Sequence, residues 1–295
     1  MTAVSVVVCT RDRPHQLREA LPTIVGSLRL GDELIVVDSA STTDATAAVA
    51  DELGVRHVRL AEPGLARARN AGIRASRNPL VAFTDDDCFP DDGWLSAAAR
   101  AFDGPDVGLV TGRVRSNRPA SESNSTLEAS ERRVIAGVTD PAGLGHGANM
   151  VFRREALESI GGFDERLGAG TPTRSAEDVD AFFRVLDAGW KLVYEPGSSV
   201  LHDQWREGES LALRYAYGVG SGAFWAKVVA RHPRLGARRI GHSLLRRGLI
   251  PMVRASLGGD WVAARRQASW TGGFAVGVLM RARGPRRWSP RRAGP

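Results

Sequence analysis

The chain has only two cysteines, Cys9 and Cys88. Two do not make a disulfide scaffold; Cys9 closes an apolar run, Cys88 lies a few residues past one, and both read as small buried thiols. No H-E-x-x-H and no Cys-rich spacing occurs, which argues against a catalytic zinc site. No G-x-G-x-x-G follows the first apolar run, and G-x-x-x-x-G-K-[ST] is absent. Nicotinamide and P-loop enzymes both lose support from this. No stretch reaches the roughly 18 apolar residues of a membrane span, and no charged leader with a cleavage site opens the chain. A cytosolic location is therefore the expectation. There is no internal repeat.

What is present is a globular composition, 43% hydrophobic and 25% charged over 295 residues. That length suits one large α/β domain, or a core with an appendage. The net charge of +7 is unevenly placed. From Arg206 onward there are seventeen arginines and one lysine against Glu207, Glu209 and Asp260. The first two-thirds is consequently acidic. A basic C-terminal module could meet nucleic acid, an anionic membrane face or phosphate-bearing substrates.

Residues 3–9 are almost continuously β-branched, the pattern of a strand buried on both faces. Further strands are predicted at 33–37, 55–60, 80–83, 107–115 and 190–194. Helices are predicted at 15–27, from Thr43 or Asp44 to about 53, and at 64–75, 91–102, 127–138, 153–160 and 176–188. This alternation argues for a mostly parallel sheet covered on both faces. Residues 116–126 are polar and irregular. Beyond Glu209, helices are predicted at 211–229, 240–257 and 261–281, with Pro251 kinking or dividing the second. Residues 284–295, mostly Arg, Pro and Gly, read as a disordered tail. The implied organisation is a catalytic domain over 1–208, halved near 115, and a basic helical region over 209–283.

Three adjacent acids, Asp85, Asp86 and Asp87, follow the apolar run 80–83. Adjacent carboxylates repel, and a hard divalent cation carrying phosphates is a reason to hold them together. They fall where a strand leaves the sheet, a usual place for ligands in α/β folds. Asp38, at the end of the second strand, could bond a ribose hydroxyl or a base N–H. Of Arg67 and Arg69, two apart on one helix, Arg69 is the preferred phosphate contact. Glu177, Asp178 and Asp180 form a second acidic cluster at a helix start, where an ionised carboxylate could accept a hydroxyl proton. Geometry alone does not choose among the three. His202 could contact metal or phosphate, and Arg206 adds positive charge for a leaving group.

In order, the motifs are Ser5-Val-Val-Val-Cys-Thr-Arg-Asp-Arg-Pro14, Val36-Val-Asp-Ser-Ala-Ser41, Gly64-Leu-Ala-Arg-Ala-Arg-Asn-Ala-Gly72, Phe83-Thr-Asp-Asp-Asp87, Gly161-Gly-Phe-Asp-Glu165, Glu177-Asp-Val-Asp180 and His202-Asp203. Over roughly residues 3–206 this resembles family 2 of the nucleotide-sugar-dependent glycosyltransferases. The resemblance implies the GT-A fold, two abutting Rossmann-like halves in one domain. It implies that Thr10 and Arg11 line a nucleobase pocket, that Asp38 contacts base or ribose, and that Asp85 faces the nucleoside. Asp87 would bind Mg²⁺ or Mn²⁺, with Asp86 as second choice and His202 completing the metal or diphosphate site. Gly147, Ala148 and Asn149 would border donor sugar and acceptor. Asp178 would be the general base of an inverting single displacement.

The chain lacks the Gln-x-x-Arg-Trp signature of processive relatives, so transfer of one or a few sugars is expected, to a glycan, lipid-linked or cell-envelope acceptor. The basic helices, with Trp225, Trp261 and Trp270, could rest on an anionic bilayer or pack on the catalytic domain. A sugar-phosphate nucleotidyltransferase is the alternative enzyme, though it should carry a Gly- and Lys-rich loop where Thr10-Arg-Asp-Arg13 stands. A nucleic-acid-binding module is a third class, suggested only by the basic C-terminus.

Overall fold

The computed structural model describes residues 1–117, 126–203 and 210–282. Arg206 and the expected tail at 284–295 lie outside the described residues, as does most of the polar stretch 116–126. The described residues cluster into two compact units. One comprises Met1–Asp164 and the chain from Asp178 to Glu207; the other comprises Glu165–Glu177 and the chain from Gly208 onward.

The first unit is built on a nine-stranded sheet. Its strands are β1 (Val4–Thr10), β2 (Glu33–Asp38), β3 (Arg56–Arg59), β4 (Leu80–Asp85), β5 (Cys88–Pro90), β6 (Val107–Ser116), β7 (Arg133–Ile135), β8 (Met150–Arg153) and β9 (Lys191–His202). The order is β3-β2-β1-β4-β8-β6-β9-β5, with β7 also on β9. The run β3-β2-β1-β4 is parallel. Beyond it the sheet is mixed, because β8 runs antiparallel to both β4 and β6 while β9 runs parallel to β6.

The β-branched first strand divides its side chains between two cores, as a period of two requires. Val4, Val6 and Val8 join Leu17, Leu21 and Ile24 of α1 (Pro14–Gly26), Val49 of α2 (Ala45–Glu52) and Trp94 of α4 (Trp94–Arg100). Val7 joins Ala66 and Ala68 of α3 (Leu65–Ala75), Leu157 of α5 (Arg154–Ser159) and Phe182 of α6 (Glu177–Asp187). Each fully buried side chain of this kind contributes about 1.5–3 kcal/mol. Helix α3 lies unusually close to β1, since a Cβ at Gly72 would stand 2.3 Å from Val7 Cγ1. That approach seats the whole Arg67–Gly72 turn against the parallel sheet.

Two local expectations are corrected. Residues 127–138 are not helical: Leu127 bridges to Val114, and Arg133–Ile135 pairs antiparallel with β9. The apolar residues there serve a long β9 that needs an edge partner, so tertiary pairing overrides local propensity. Residues 150–153, where no strand is predicted, form β8, inserted between β4 and β6.

The second unit contains α7 (Leu211–Val229), α8 (Pro233–His242), α9 (Ile250–Leu257) and α10 (Trp261–Ala282). Ser210 caps α7, its Oγ accepting from Leu213 N at 3.1 Å. Helices α7 and α10 touch backbone to backbone through paired glycines. A Cβ at Gly218 would lie 2.2 Å from the Trp270 carbonyl oxygen, and one at Gly277 2.0 Å from that of Val219. Between α8 and α9 the chain makes a π-helical turn, Ser243–Leu249. Pro251 follows in the first turn of α9. Proline lacks the N–H and crowds the preceding turn, and a widened turn just before it relieves both problems. Trp225 is buried and Trp270 stacks on Phe274 at 5.2 Å. Of the three tryptophans expected at a bilayer, only Trp261 is exposed. Among the described residues no helix is long and apolar enough to cross a membrane.

Candidate active site

The aspartate triplet sits at a tight turn. Asp85 ends β4, Asp86 and Asp87 form the turn, and Cys88 begins β5. Strand β5 then pairs with β9 so that Cys88 lies opposite His202. This register brings His202 to the triplet: its Nε2 is 3.2 Å from Asp87 Oδ1. Asp203 N donates to the Asp87 carbonyl at 2.8 Å and fixes the junction.

The three acids have different environments. Asp85 is partly exposed, with Arg69 Nη2 4.0 Å away. Asp86 is buried, accepting from Thr10 Oγ1 at 2.5 Å and pairing with Arg13 Nη1 at 2.7 Å. Asp87 is buried as well, and Arg13 Nη2 donates to its Oδ2 at 2.5 Å. Arg13 therefore bridges two neighbouring carboxylates, a role that sequence reasoning missed although the residue stands in the first motif. Burial pushes the Asp86 carboxyl up to about 7, against the pull of Arg13 and with a push from Asp87. Burial acts on Asp87 too, but His202 and Arg13 outweigh it and hold that carboxyl down to about 2. His202 is raised: burial opposes its charge, and the carboxylates of Asp87 and Asp85 more than compensate.

One ligand atom each from Asp85, Asp87, Cys88 and His202 falls within 4.8 Å of the others. Asp87 Oδ1 is buried against His202 Nε2, and His202 Nδ1 is buried without a hydrogen bond. Two carboxylates and an imidazole brought this close are a fitting donor set for Mn²⁺ or Mg²⁺, which would replace the Asp87–His202 pairing. Cys88, read from sequence as a core thiol, is buried beside them, and burial raises its thiol well above the ordinary range.

Packing gives the three acids of the second cluster different surroundings. Asp180 is buried and engaged with Arg184 Nε at 2.7 Å. Glu177 is buried and belongs to the other unit. Asp178 is half-buried, its Oδ2 accepting from Gly147 N at 3.0 Å and its Oδ1 from Val179 N at 2.8 Å. Arg69 is buried, not solvated. Its guanidinium lies over Phe163 at 5.4 Å and reaches the Gly147 carbonyl at 3.5 Å. Asp85, Arg69, Gly147 and Asp178 thus form one connected set. His146 joins it: its ring is 5.9 Å from that of His202, and its Nδ1 accepts from Ala148 N at 3.1 Å. Burial lowers its basicity, with Asp178 the main opposing charge. Nothing in the sequence marked this histidine except its place beside Gly147.

The remaining sequence candidates are placed as follows. Asp38 is buried next to Thr10 in the β1–β2 register, its Oδ1 accepting from Ser41 N at 2.8 Å. Its Oδ2 takes no hydrogen bond, with Arg59 Nε 3.9 Å and His57 Nε2 4.0 Å away. Arg11 is half-exposed, 3.6 Å from Asp12. Asn149 is not presented to the site by its side chain. It is buried, accepts from Trp94 Nε1 at 2.8 Å, and donates to the Arg113 and Ser198 carbonyls at 2.9 Å each. It is a strut joining α4, β6 and β9.

Comparison with known proteins agrees with this architecture. Residues 5–161 match the family model "Glycosyl transferase family 2", and the chain belongs to that family. A pre-mycofactocin glycosyltransferase of Mycobacterium tuberculosis is 33% identical over 242 residues, covering 78% of this chain and 48% of that protein. The chain thus spans about half of that relative's length. Glycosyltransferase AglE of Haloferax volcanii is 25% identical over 75% of this chain and 74% of that protein. In fold, the chain is similar to a Pyrobaculum calidifontis mannosyltransferase solved with GDP-Man and Mn²⁺. The TM-score is 0.63 at 20% identity, covering 94% of this chain and 86% of the other. The GT-A fold is the common architecture.

Proposed function

We propose that this chain is a metal-dependent, inverting glycosyltransferase moving a sugar from a nucleoside-diphosphate sugar to an acceptor hydroxyl. The observation that carries the reading is the connected set from the Asp85–Asp87–Cys88–His202 cluster through Arg69 and Gly147 to Asp178. It puts a cation-suited donor set and a fixed carboxylate on one frame. The solved mannosyltransferase of like fold, bound to GDP-Man and Mn²⁺, supports the donor class and the ion.

Asp85, Asp87 and His202 would hold Mn²⁺ or Mg²⁺, which when bound neutralises charge on a diphosphate leaving group. Arg13 holds Asp86 and Asp87 apart from free rotation, so the donor set stays formed before substrate arrives. Asp38 and Thr10 lie at the adjacent strand ends, suited to base and ribose. Arg69 supplies a buried positive charge beside Asp85. Asp178, oriented by two backbone N–H groups, takes the acceptor proton as the hydroxyl attacks the anomeric carbon. The acceptor is a glycan, lipid-linked or cell-envelope hydroxyl, and transfer is non-processive.

Turnover of UDP-, GDP- and dTDP-sugars should require Mn²⁺ or Mg²⁺. Asp178→Asn should retain donor binding and lose turnover by about 10²–10⁴-fold. Full transfer by that variant, or pyrophosphate exchange in place of transfer, would overturn the reading.

A further inference from the structure

The helical unit carries a feature that the transferase reading does not use. Leu245, Leu249, Val253 and Leu257 follow one another at intervals of four along the π turn and α9. On a helix that interval keeps side chains on one face. All four are exposed, and Leu257 retains 84% of its surface. Trp261 and Val262, at the start of α10 after the turn at 258–260, are exposed as well, at 65% and 64%. Single exposed leucines are ordinary, but four large apolar residues on one helical face, with two more exposed at the start of the next helix, need a covering partner.

The charges around the stripe identify the partner's chemistry. Arg246, Arg247, Arg254, Arg265 and Arg266 are all exposed beside it. Over residues 210–282 there are eleven arginines and one lysine, and the sole acid is Asp260. Asp260 is itself engaged, accepting from Ala263 N at 2.9 Å as the cap of α10. A second copy would set this cationic face against its like. Nucleic acid would satisfy the arginines and leave the leucines in water. A surface that is anionic outside and apolar beneath satisfies both. No described helix is long and apolar enough to cross a membrane, so the helices would lie on that surface.

We infer that the stripe from Leu245 to Val262, with its flanking arginines, docks on an anionic lipid bilayer. This goes beyond the transferase reading, and its test needs neither donor nor transfer. The full chain is floated with vesicles of phosphatidylcholine alone and with added phosphatidylglycerol. Co-flotation with the anionic vesicles, weakened by salt, is expected. Arg246→Gln/Arg247→Gln/Arg254→Gln should weaken that binding by about a hundredfold. Leu249→Ser/Leu257→Ser should weaken it too, with Trp261→Ser as a second variant should the first not fold. These side chains are exposed, so an unchanged Tm is expected alongside the lost binding. The inference is overturned by absence of flotation with either vesicle. It is equally overturned by self-association that Leu249→Ser/Leu257→Ser abolishes, or by tighter binding to a DNA oligonucleotide than to anionic vesicles.

Discussion

Gly147 gives the sharpest test of how the proposed base is placed. Its N–H donates to Asp178 Oδ2 at 3.0 Å, and Arg69 reaches its carbonyl. An alanine Cβ there would stand 2.7 Å from Arg69 Nη2 and 3.0 Å from Asp178 Oδ2. Ordinary van der Waals contact is 3.4–4 Å, so both groups must retreat. Both contacts are the ends of side chains, which places the stability cost at the low end of the about 1–3 kcal/mol typical of overpacking. The catalytic cost should be larger. A misplacement of about 1 Å can lower a rate about a hundredfold, and the shift needed here is a fraction of that. Gly147→Ala should therefore lose about tenfold or more in turnover, with a smaller loss of donor affinity from the displaced Arg69. Initial rates with a saturating donor and Mn²⁺, donor Kd by calorimetry and Tm by scanning calorimetry separate these effects. Gly26→Ala, where no atom lies within 4 Å, is the control. Wild-type turnover in a folded Gly147→Ala would refute the placement of Asp178 by Gly147.

Further outcomes follow from the same geometry. Arg13→Met leaves two buried carboxylates without their bridge and should cost about 3–5 kcal/mol; Asp86→Asn in that background should restore part of it, and strict additivity in urea unfolding would contradict the bridge. Asp86 titrates near 7 in the folded chain, above the ordinary carboxyl value of about 3.9. Its contribution is thus fully present below the unfolded value and lost as pH rises through about 7. Tm of the metal-free protein should fall over that window, and Asp86→Asn should flatten the slope. Asp87→Asn should abolish Mn²⁺ binding followed by electron paramagnetic resonance, without transfer being measured. Gly277→Ala puts a methyl group 2.0 Å from a backbone oxygen that cannot yield, so the α7–α10 pair should open and become protease-sensitive.

Much of the fold was legible because it is written in local periods. The β-branched runs of β1, β2 and β4, the amphipathic spacing of α1, α3 and α6, and the glycine-to-arginine turn of α3 each signal their own conformation. Where local pattern was ambiguous, reading failed in an understandable way. Residues 127–138 have helix-compatible spacing, yet β9 is twelve residues long and takes Arg133–Ile135 as a partner. Strand β8 is short and merges with the helix after it, so its period is too brief to see.

The site divides along the same line. Sequence alone set the acids at a strand end, an acidic cluster at the start of α6, and a C-terminal third rich in arginine, since each is a matter of residue type and near neighbours. Tertiary structure decided which of these groups meet. The β5–β9 register places His202 against Asp87, and the close seating of α3 on β1 carries Arg69 inward to Asp85. Arg184 engages Asp180, and Trp94, Arg113 and Ser198 engage the whole of Asn149. Those pairings depend on strand register and packing between distant segments, which no local period encodes.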